Sequence, residues 1–394
     1  MSTESALTAP PRRLLSAAEV RARHGEAGLD LLAQGLREGD PVADAVIAEF
    51  AESGGAARTA LGAGLNDGLA ALADPPPAVA ALLRESEGAV AEADRDLLER
   101  GDLASLTVDP FWSRMAFALG SLVHTYSAPG IARVLMGTGK LTEGAARRLG
   151  ETGLWRGNAI LPGGLLRGAP GYVDTVQVRL LHARVRANAL KRGWDVEEWG
   201  VPINQVDAAR TWLDFTVVPF RALERVGIVL TPEEERDLYR YWRHIAALVG
   251  VDPRFYLDVH DHASAGALLD LIDGTNAAPD ASARALVEAL VDALVSGLMG
   301  GSLSLPEPSV RTLLAALTRL MQGDEAADAL GIERVDVAPF LPLLAMGNSG
   351  VRRWQRATPE SWRQALAEHT EYRRTEFAHL PGTEYRASMA DARN

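Results

Sequence analysis

Apolar residues recur at intervals of three and four along most of this chain, which is the period of a helix that buries one face. No stretch alternates apolar and polar residues for long enough to indicate a β-strand. The pattern therefore predicts an all-α fold. The predicted helices cover 16–37, 41–53, 55–73, 78–100, a core helix from 109, a short helix to 136, 142–158, 172–191, 205–226, and further helices from 231 to about 380.

Capping motifs and prolines mark the ends of several of these helices. Ser16 and Glu19 form a capping-box pattern at the start of the first helix. Thr231 precedes Pro232 and has Glu234 three residues later, a strong signal for a helix N-terminus. The run Pro75-Pro76-Pro77 interrupts the helical pattern. These signals fix helix starts independently of hydrophobic periodicity.

Charge and cysteine content exclude several classes of protein. The 394 residues include 52 acidic and 40 basic ones, giving a net charge of −12, and no basic stripe indicates a nucleic-acid partner. The chain has no Cys, which excludes disulfides, zinc ribbons, iron–sulfur clusters, covalently attached c-type haem and thiolate-ligated haem. Any metal site must therefore use ligands such as His, Asp, Glu, Tyr or Met.

The N-terminal residues give no sign of a membrane or export segment. Residues 1–13 are expected to be disordered, and the Arg12-Arg13 pair is not followed by the continuous apolar core of a signal peptide. No window of about 18 uncharged apolar residues occurs, so no transmembrane span is expected. The expected location is the cytoplasm.

The most informative of the eight histidines is His182. It lies in an apolar stripe of the 172–191 helix, formed by Val178, Leu181, Val185 and Ala189. Arg179 and Arg186 flank it at i−3 and i+4. A haem ligand beside cations that bind the propionates would have this pattern. A hydrogen-bonded core histidine, with arginines that reach solvent, fits the pattern as well.

A second cluster of possible metal ligands is Asp258 with His260-Asp261-His262. Two histidines near carboxylates occur in metal sites, which leaves a His/Asp metal hydrolase as an alternative. A solvated loop that caps the following helix is the favoured interpretation. The sequence contains no GxGxxG after a strand, no GxxxxGK[ST], no HExxH and no GxSxG, so the common nucleotide-binding, zinc-protease and hydrolase classes have no support.

Four segments, spread in order over about half of the chain, carry a resemblance to a known family. They are GDPVADAV at Gly39–Val46, TGKL with RRLGET at Thr138–Leu141 and Arg147–Thr152, RLLHARVR at Arg179–Arg186, and the region from Gly227 to Pro253. Together they resemble the latex-clearing-protein (rubber oxygenase) family and its relative, the side-chain oxygenase of mycophenolic acid biosynthesis.

The resemblance implies a globin-like helical core that holds a b-type haem. His182 matches the proximal iron ligand, Arg148 the distal arginine and Thr152 the distal threonine. Glu151 stands where the rubber-cleaving members have Lys, and no acid lies between Asp109 and Glu143, where those members carry one. Residues 148, 151 and 152 are i, i+3 and i+4, so they share one helix face. Glu151 is expected to act as the acid or base of the pocket.

The implied function is oxidation by O2 of an apolar, alkene-bearing or terpenoid small molecule. An electron donor is a further candidate partner. A non-catalytic haem-based oxygen or redox sensor and a haem-free helical scaffold are the alternatives. The whole chain, 1–394, is expected to form one catalytic domain, with flanking helices in 1–100, the haem-binding core in 101–260 and C-terminal helices in 261–394. The expected pocket walls are Phe111, Met115, Leu149 and Trp155.

Overall fold

The computed structural model describes residues 10–53, 55–91, 94–137, 142–299, 305–377 and 380. Within these ranges the chain is helical, with no strand, which confirms the all-α fold class. Thr138–Leu141, part of one of the segments behind the family resemblance, lies outside the described residues. The helices are α1 (Ala17–Gly35), α2 (Pro41–Ser53), α3 (Gly55–Asp67), α4 (Pro77–Ala91), α5 (Arg95–Arg100), α6 (Leu103–Leu106), α7 (Pro110–Met115), α8 (Val123–Ser127), α9 (Pro129–Gly137), α10 (Thr142–Ile160), α11 (Pro170–Lys191), α12 (Val196–Trp199), α13 (Gln205–Asp214), α14 (Val217–Arg225), α15 (Pro232–Val249), α16 (His262–Asp273), α17 (Ala281–Met299), α18 (Glu307–Gln322), α19 (Asp324–Ala329), α20 (Leu341–Gln355) and α21 (Pro359–Thr375).

The predicted caps form as the sequence indicates. The Ser16 hydroxyl accepts from the backbone N–H of Glu19 at 3.2 Å. Thr231 and Glu234 form the complete capping box of α15, because each side chain accepts from the other residue's backbone N–H. Left-handed Gly250, with φ 82°, ends the same helix, a conformation that glycine adopts without steric cost.

Two long predicted helices are each divided in the structure. The 78–100 stretch forms α4 and α5, and Asp94 caps the second of them. The 205–226 stretch forms α13 and α14, because Thr216 leaves the helical conformation with φ −116° and ψ −89°. Its hydroxyl donates to the carbonyl of Trp212 at 3.2 Å, so the interruption keeps its polar groups paired.

The expected disorder of residues 1–13 is wrong for the last part of that range. The Arg13 guanidinium is buried and donates to both carboxylate oxygens of Asp207, at 2.9 and 2.8 Å. The backbone N–H groups of Arg12 and Arg13 also donate to carbonyls of α12. Ion pairing with a distant helix therefore orders this segment, and nothing within the segment itself signals that partner.

The centre of the core is α11, which packs against α2, α10 and α15. Between α7 and α8 a π-helical segment, Ala116–Leu122, continues the helix and packs against α14 and α18. Such wider turns are rare and often lie beside functional sites, because they change the register of the residues that follow. No helix of the described ranges is both long and apolar enough to span a membrane.

Candidate functional site

A cavity of about 470 Å³ lies between α8, α9, α10, α11, α13 and α15. Its size is in the usual range for a bound small molecule or cofactor, which is roughly 300–1,000 Å³. Most of its lining is apolar, and its polar side chains come mainly from α10 and α11. The cavity is therefore suited to an apolar ligand with a few specific polar contacts.

His182 lies in the wall that α11 contributes. Val178, Leu181 and Val185 line the cavity with it, at the i−4, i−1 and i+3 positions around His182, so the predicted stripe faces this space. Ala189, the last member of that stripe, is not part of the lining. Within the described structure, His182 makes no hydrogen bond through its ring, so a partner carbonyl or carboxylate for its second nitrogen is not found there.

The environment of His182 keeps its imidazole neutral. Burial, followed by the positive charge of Arg186, lowers the pKa of His182 from 6.5 to about 4, although Asp40 opposes the change. A neutral imidazole has a free lone pair and can bind a metal ion, which a protonated ring cannot do. The ring is therefore ready to act as a ligand at neutral pH.

The facing polar side chains come from α10, as the shared helix face predicts. Arg148, Glu151 and Thr152 all line the cavity. The Glu151 carboxylate lies 4.0 Å from the guanidinium of Arg147, which lines the cavity too. Arg148 hydrogen-bonds the hydroxyl of buried Tyr126, whose pKa is raised by burial and partly lowered again by that cation. The structure thus brings His182 and the three predicted α10 residues to one space.

Aromatic rings form the deep part of the cavity. Trp155 meets Phe215 edge to face at 5.1 Å between centroids, and Phe215 stacks on Trp242 at 5.7 Å. The indole N–H of Trp155 donates to Thr175 at 3.0 Å, and that of Trp242 donates to the buried carboxylate of Asp102 at 2.8 Å. Because each indole is paired, the two indole rings are held in fixed orientations and give the cavity a rigid, apolar wall.

The two arginines expected beside His182 are neighbours of it on α11 but pair with acids outside the cavity. Arg179 pairs with Asp40 at 2.5 and 2.9 Å and with Glu85 at 2.9 Å. Arg186 pairs with Asp44 at 2.8 Å. Neither guanidinium lines the cavity. The assignment of these arginines to the cofactor is therefore corrected. Both lie about 40–60° around the helix from His182, on the side opposite Val178 and Val185, and on that side they contact acids at the start of α2.

Arg186 still shapes the cavity through its second contact. Its guanidinium donates to the carbonyl of Ile203 at 2.9 Å, and Ile203 lines the cavity with a φ of 51°. A β-branched residue rarely adopts this left-handed conformation, so the backbone is strained at that point. The ion-paired arginine holds the strained carbonyl in place.

Three of the four expected pocket walls do not line the cavity. Phe111 is 47% exposed and packs edge to face on Trp112, and Met115 is buried in the core. Leu149 is partly buried against the core, outside the lining. Trp155 does line the cavity. Leu149 follows Arg148 directly, so it projects from a different side of α10. Phe111 and Met115 belong to α7, which lies before the π-helical segment that leads into the cavity wall.

Several lining residues were not expected from the sequence. Tyr126, which holds Arg148, comes from the core helix that was expected to begin at 109. Arg184 lines the cavity three residues after Leu181, a helical spacing that extends the stripe around His182. Trp212 and Trp242 come from α13 and α15, and no local signal relates either of them to His182.

The cluster around His260 and His262 caps a helix. The Asp261 carboxylate accepts from the backbone N–H of Ser264 at 2.7 Å, at the start of α16. His262 hydrogen-bonds Tyr239 at 2.6 Å between the hydroxyl oxygen and Nδ1. Across the described part of the chain, no group of three or more His, Asp or Glu side chains is placed to hold a metal ion. The capping interpretation therefore accounts for this segment.

Comparison with known proteins identifies the class of this fold and site. Residues 111–348, more than half of the chain and including the whole cavity lining, match the family model of the ER-bound oxygenase mpaB/B'/rubber oxygenase catalytic domain. The chain belongs to this oxygenase family, as the sequence motifs indicated. A search of curated proteins finds no match.

A solved structure of latex clearing protein, LCP, in the closed state has a similar fold. The TM-score is 0.64 with 20% sequence identity, and the match covers 89% of this chain and 92% of that one. The likeness therefore concerns nearly the full length of both chains, and it shows a shared helical architecture.

Proposed function

We propose that this protein is a b-type haem-dependent oxygenase, in which His182 would bind the iron and an apolar, alkene-bearing molecule would be the substrate. The observation that carries the proposal is the meeting of His182 with Arg148, Glu151 and Thr152 at one apolar cavity. These residues come from two different helices, α10 and α11. The family of the chain, which is one of oxygenases, supports the same reaction class.

The residues around the cavity suit a haem. His182 offers a neutral nitrogen with no competing hydrogen bond in the described structure, apolar side chains from α9, α11 and α15 surround the space, and aromatic rings form a rigid wall. The cations that would accompany the two propionates are Arg184 and Arg147, which line the cavity, in place of Arg179 and Arg186. A globin-like arrangement of the core remains part of the proposal.

When bound, the haem iron would supply the activation of O2, which no protein side chain provides. Arg148, fixed by Tyr126, presents N–H donors where negative charge develops, and the Thr152 hydroxyl is a second donor on the same face. Glu151 holds or releases a proton at its carboxylate, with Arg147 beside it. The apolar walls orient the substrate and keep water away from it.

The substrate class follows from the lining. Leu122, Ile131, Val134 and Ile245 offer surface for an apolar chain, and hydrogen-bonding groups are concentrated on α10. A terpenoid or another small alkene would pack against this apolar surface beside the haem, with a double bond near the α10 side chains. An electron donor is needed if the reaction incorporates one oxygen atom and reduces the other to water.

Haem reconstitution tests the proposal directly. Purified protein supplied with haem should develop a Soret band, with one iron per chain by elemental analysis. His182→Ala should lose most of this haem, because it deletes the side chain that would bind the iron. His262→Ala is the matched control, since His262 is also partly buried and has a lowered pKa but lies outside the cavity. Full haem occupancy with an unchanged spectrum in His182→Ala would refute the assignment.

Turnover separates an oxygenase from a haem protein without catalysis. Reconstituted protein should consume O2 and oxidise alkenes such as short isoprenoids, as followed by mass spectrometry. A stable oxygen complex with no oxidation of any alkene would indicate an oxygen or redox sensor. A protein that stays colourless after haem is supplied would indicate a helical scaffold.

A further inference from the structure

A buried hydrogen-bonded cluster joins the end of the core helix to the end of α13. His124 Nδ1 lies 2.6 Å from Asp214 Oδ1, and the hydroxyl of Thr125 donates to Asp214 Oδ2, also at 2.6 Å. The Arg210 guanidinium donates to the carbonyl of His124 at 2.9 Å and lies 3.4 Å from Asp214 Oδ2. The carboxylate of Asp214 thus has a separate partner on each oxygen.

Thr125, Asp214 and His124 of this cluster differ in what they face. The Thr125 residue lines the cavity. The Asp214 side chain has no exposed surface, whereas the His124 side chain is 21% exposed. The cluster therefore runs from the cavity wall, through a fully buried carboxylate, to an imidazole that reaches solvent. The π-helical segment Ala116–Leu122 ends just before His124 and sets the register of both α8 residues.

We propose that His124, Asp214 and Thr125 form a proton relay between solvent and the cavity. The proposal rests on the proposed function, because the relay serves chemistry in that cavity. Reactions of O2 move protons, and the apolar walls of this site offer few other routes for them. Thr125 is close to the residues that act there, because the next residue, Tyr126, holds Arg148.

The transfer balances at each group. His124 takes a proton from water at Nε2 and gives its Nδ1 proton to the Asp214 carboxylate. Neutral Asp214 then turns about its Cβ–Cγ bond, which brings the protonated oxygen from His124 to Thr125 Oγ. Asp214 passes the proton to Thr125 Oγ as Thr125 gives its own hydroxyl proton to an anionic acceptor in the cavity. One proton enters the cavity, and Asp214 and Thr125 return to their starting states. His124 ends neutral with its proton on Nε2 instead of Nδ1, and proton exchange with water restores the Nδ1 form. The reverse sequence carries a proton out.

The contacts around the relay allow both states of the carboxyl group. Ionised Asp214 accepts from both neighbours, and Arg210 stabilises its charge. When Asp214 is neutral, its O–H can donate to Thr125 Oγ, because the Thr125 hydroxyl has a second acceptor, the carbonyl of Ser121 at 2.9 Å.

The charged neighbours of the relay in the described structure are few. Arg210 Nη2 lies 3.4 Å from His124 Nε2, which leaves the Nδ1 proton pointing at Asp214 in the resting state. Arg210 also faces Asp273, 3.8 Å away and half exposed. Proton uptake at Nε2 ends the weak contact with Arg210, and Asp273 remains the counter-charge of Arg210 while Asp214 is neutral.

Cyanide binding to the ferric, haem-loaded protein tests the relay without turnover. Hydrogen cyanide binds as the anion, so its proton must leave the cavity on association and return on dissociation. Thr125→Val, which keeps the side-chain shape and deletes the hydroxyl, should slow both rates by the same factor, on the order of 10², and leave the Kd unchanged. Asp214→Asn should have the same effect, and Thr125→Ser should behave like wild type. Thr318→Val is the matched control, because its buried hydroxyl donates only to a carbonyl of its own helix.

The outcomes separate the relay from a structural role and from the proposed function. If the cluster is purely structural, its variants would change the Kd or the stability, and the association and dissociation rates would not fall by the same factor. That result would overturn the relay, and so would wild-type rates in Thr125→Val. Absence of haem binding in wild type would instead overturn the proposed function. The haem-free protein then still tests the relay. Nitrogen-15 histidine NMR should detect a downfield Nδ1 proton on His124 that is lost in Asp214→Asn, and its absence in wild type would overturn the His124–Asp214 step.

Discussion

The hydroxyl of Tyr126 is hydrogen-bonded to the guanidinium of Arg148, and both side chains line the cavity. The contact joins the end of the core helix to α10 and leaves Arg148 little freedom to rotate. A donor that is already oriented costs no reorganisation when charge develops near it. The position of Arg148 therefore depends on a residue from a different helix.

Tyr126→Phe should loosen Arg148 without emptying the cavity. We expect a loss of about 1–3 kcal/mol in the free energy of unfolding, because a half-buried cation loses its hydrogen bond to a buried hydroxyl. We also expect faster dissociation of O2 from the reconstituted protein. Urea unfolding and stopped-flow absorption measure the two effects. Tyr172→Phe is the control, since the buried Tyr172 hydroxyl has no hydrogen-bond partner in the described structure. Equal effects of the two substitutions would contradict the role of Tyr126.

Glu151→Gln should remove one limb of the pH–rate profile and leave haem binding intact. The carboxylate lines the cavity beside Arg147, so the substitution deletes a proton donor and acceptor at the site. Glu99→Gln is the control, because the exposed Arg95–Glu99 pair at 2.7 Å has the same i, i+4 spacing and lies away from the cavity. An exposed pair is worth about 0–1 kcal/mol, so this control should resemble wild type. A Glu151→Gln profile that overlays the wild-type profile would leave Glu151 with a structural role only.

The haem-free protein should become less stable as the pH falls from 6.5 towards 4. In that interval the unfolded chain binds a proton on His182, and the folded protein does not, because its pKa is lowered to about 4. The expected loss attributable to His182 is up to about 3 kcal/mol, at about 1.36 kcal/mol for each pH unit. Urea unfolding at several pH values measures it, and the His182→Gln variant should show a correspondingly smaller dependence. Equal pH dependences would mean that His182 is already solvated when haem is absent.

Local sequence signals predicted the helices and the α10 and α11 faces well. Helical spacing places each of two sets of residues on one side of a regular helix: 148, 151 and 152 on α10, and 178, 182 and 185 on α11. In the structure both sets line the cavity. Capping residues likewise predicted the starts of α1 and α15. These features depend on residues within about one or two helical turns of each other, so a single sequence contains them.

Long-range pairing explains what the sequence did not reveal. Arg179 and Arg186 flank His182 along the chain, but their partners Asp40 and Asp44 lie 139 and 142 residues away. Arg13 is ordered by Asp207, 194 residues away. The charge of an arginine is visible in a sequence, whereas the carboxylate that it meets depends on how α2 and α13 pack.

The close approach of α10 and α11 depends on Gly171. A β-carbon built at Gly171 would lie 2.5 Å from the carbonyl oxygen of Asn158 and 2.6 Å from both the Cα of Ala159 and the carbonyl oxygen of Gly164. All three are backbone atoms, which cannot move aside as a flexible side chain can. Glycine therefore sets the separation of the two helices that carry His182 and Arg148.

Gly171→Ala should push the start of α11 away from the end of α10. We expect a loss of about 1–3 kcal/mol in the free energy of unfolding, as for other overpacked sites, together with weaker haem binding because the two walls of the cavity separate. Urea unfolding and haem titration measure these effects. Gly88→Ala is the matched control: it lies within α4 with no atom near the added β-carbon, and it should be neutral or stabilise by up to about 1 kcal/mol. If Gly171→Ala matched this control in both stability and haem affinity, the backbone of the α10–α11 junction would have to be free to adjust, and the cavity would not depend on this contact.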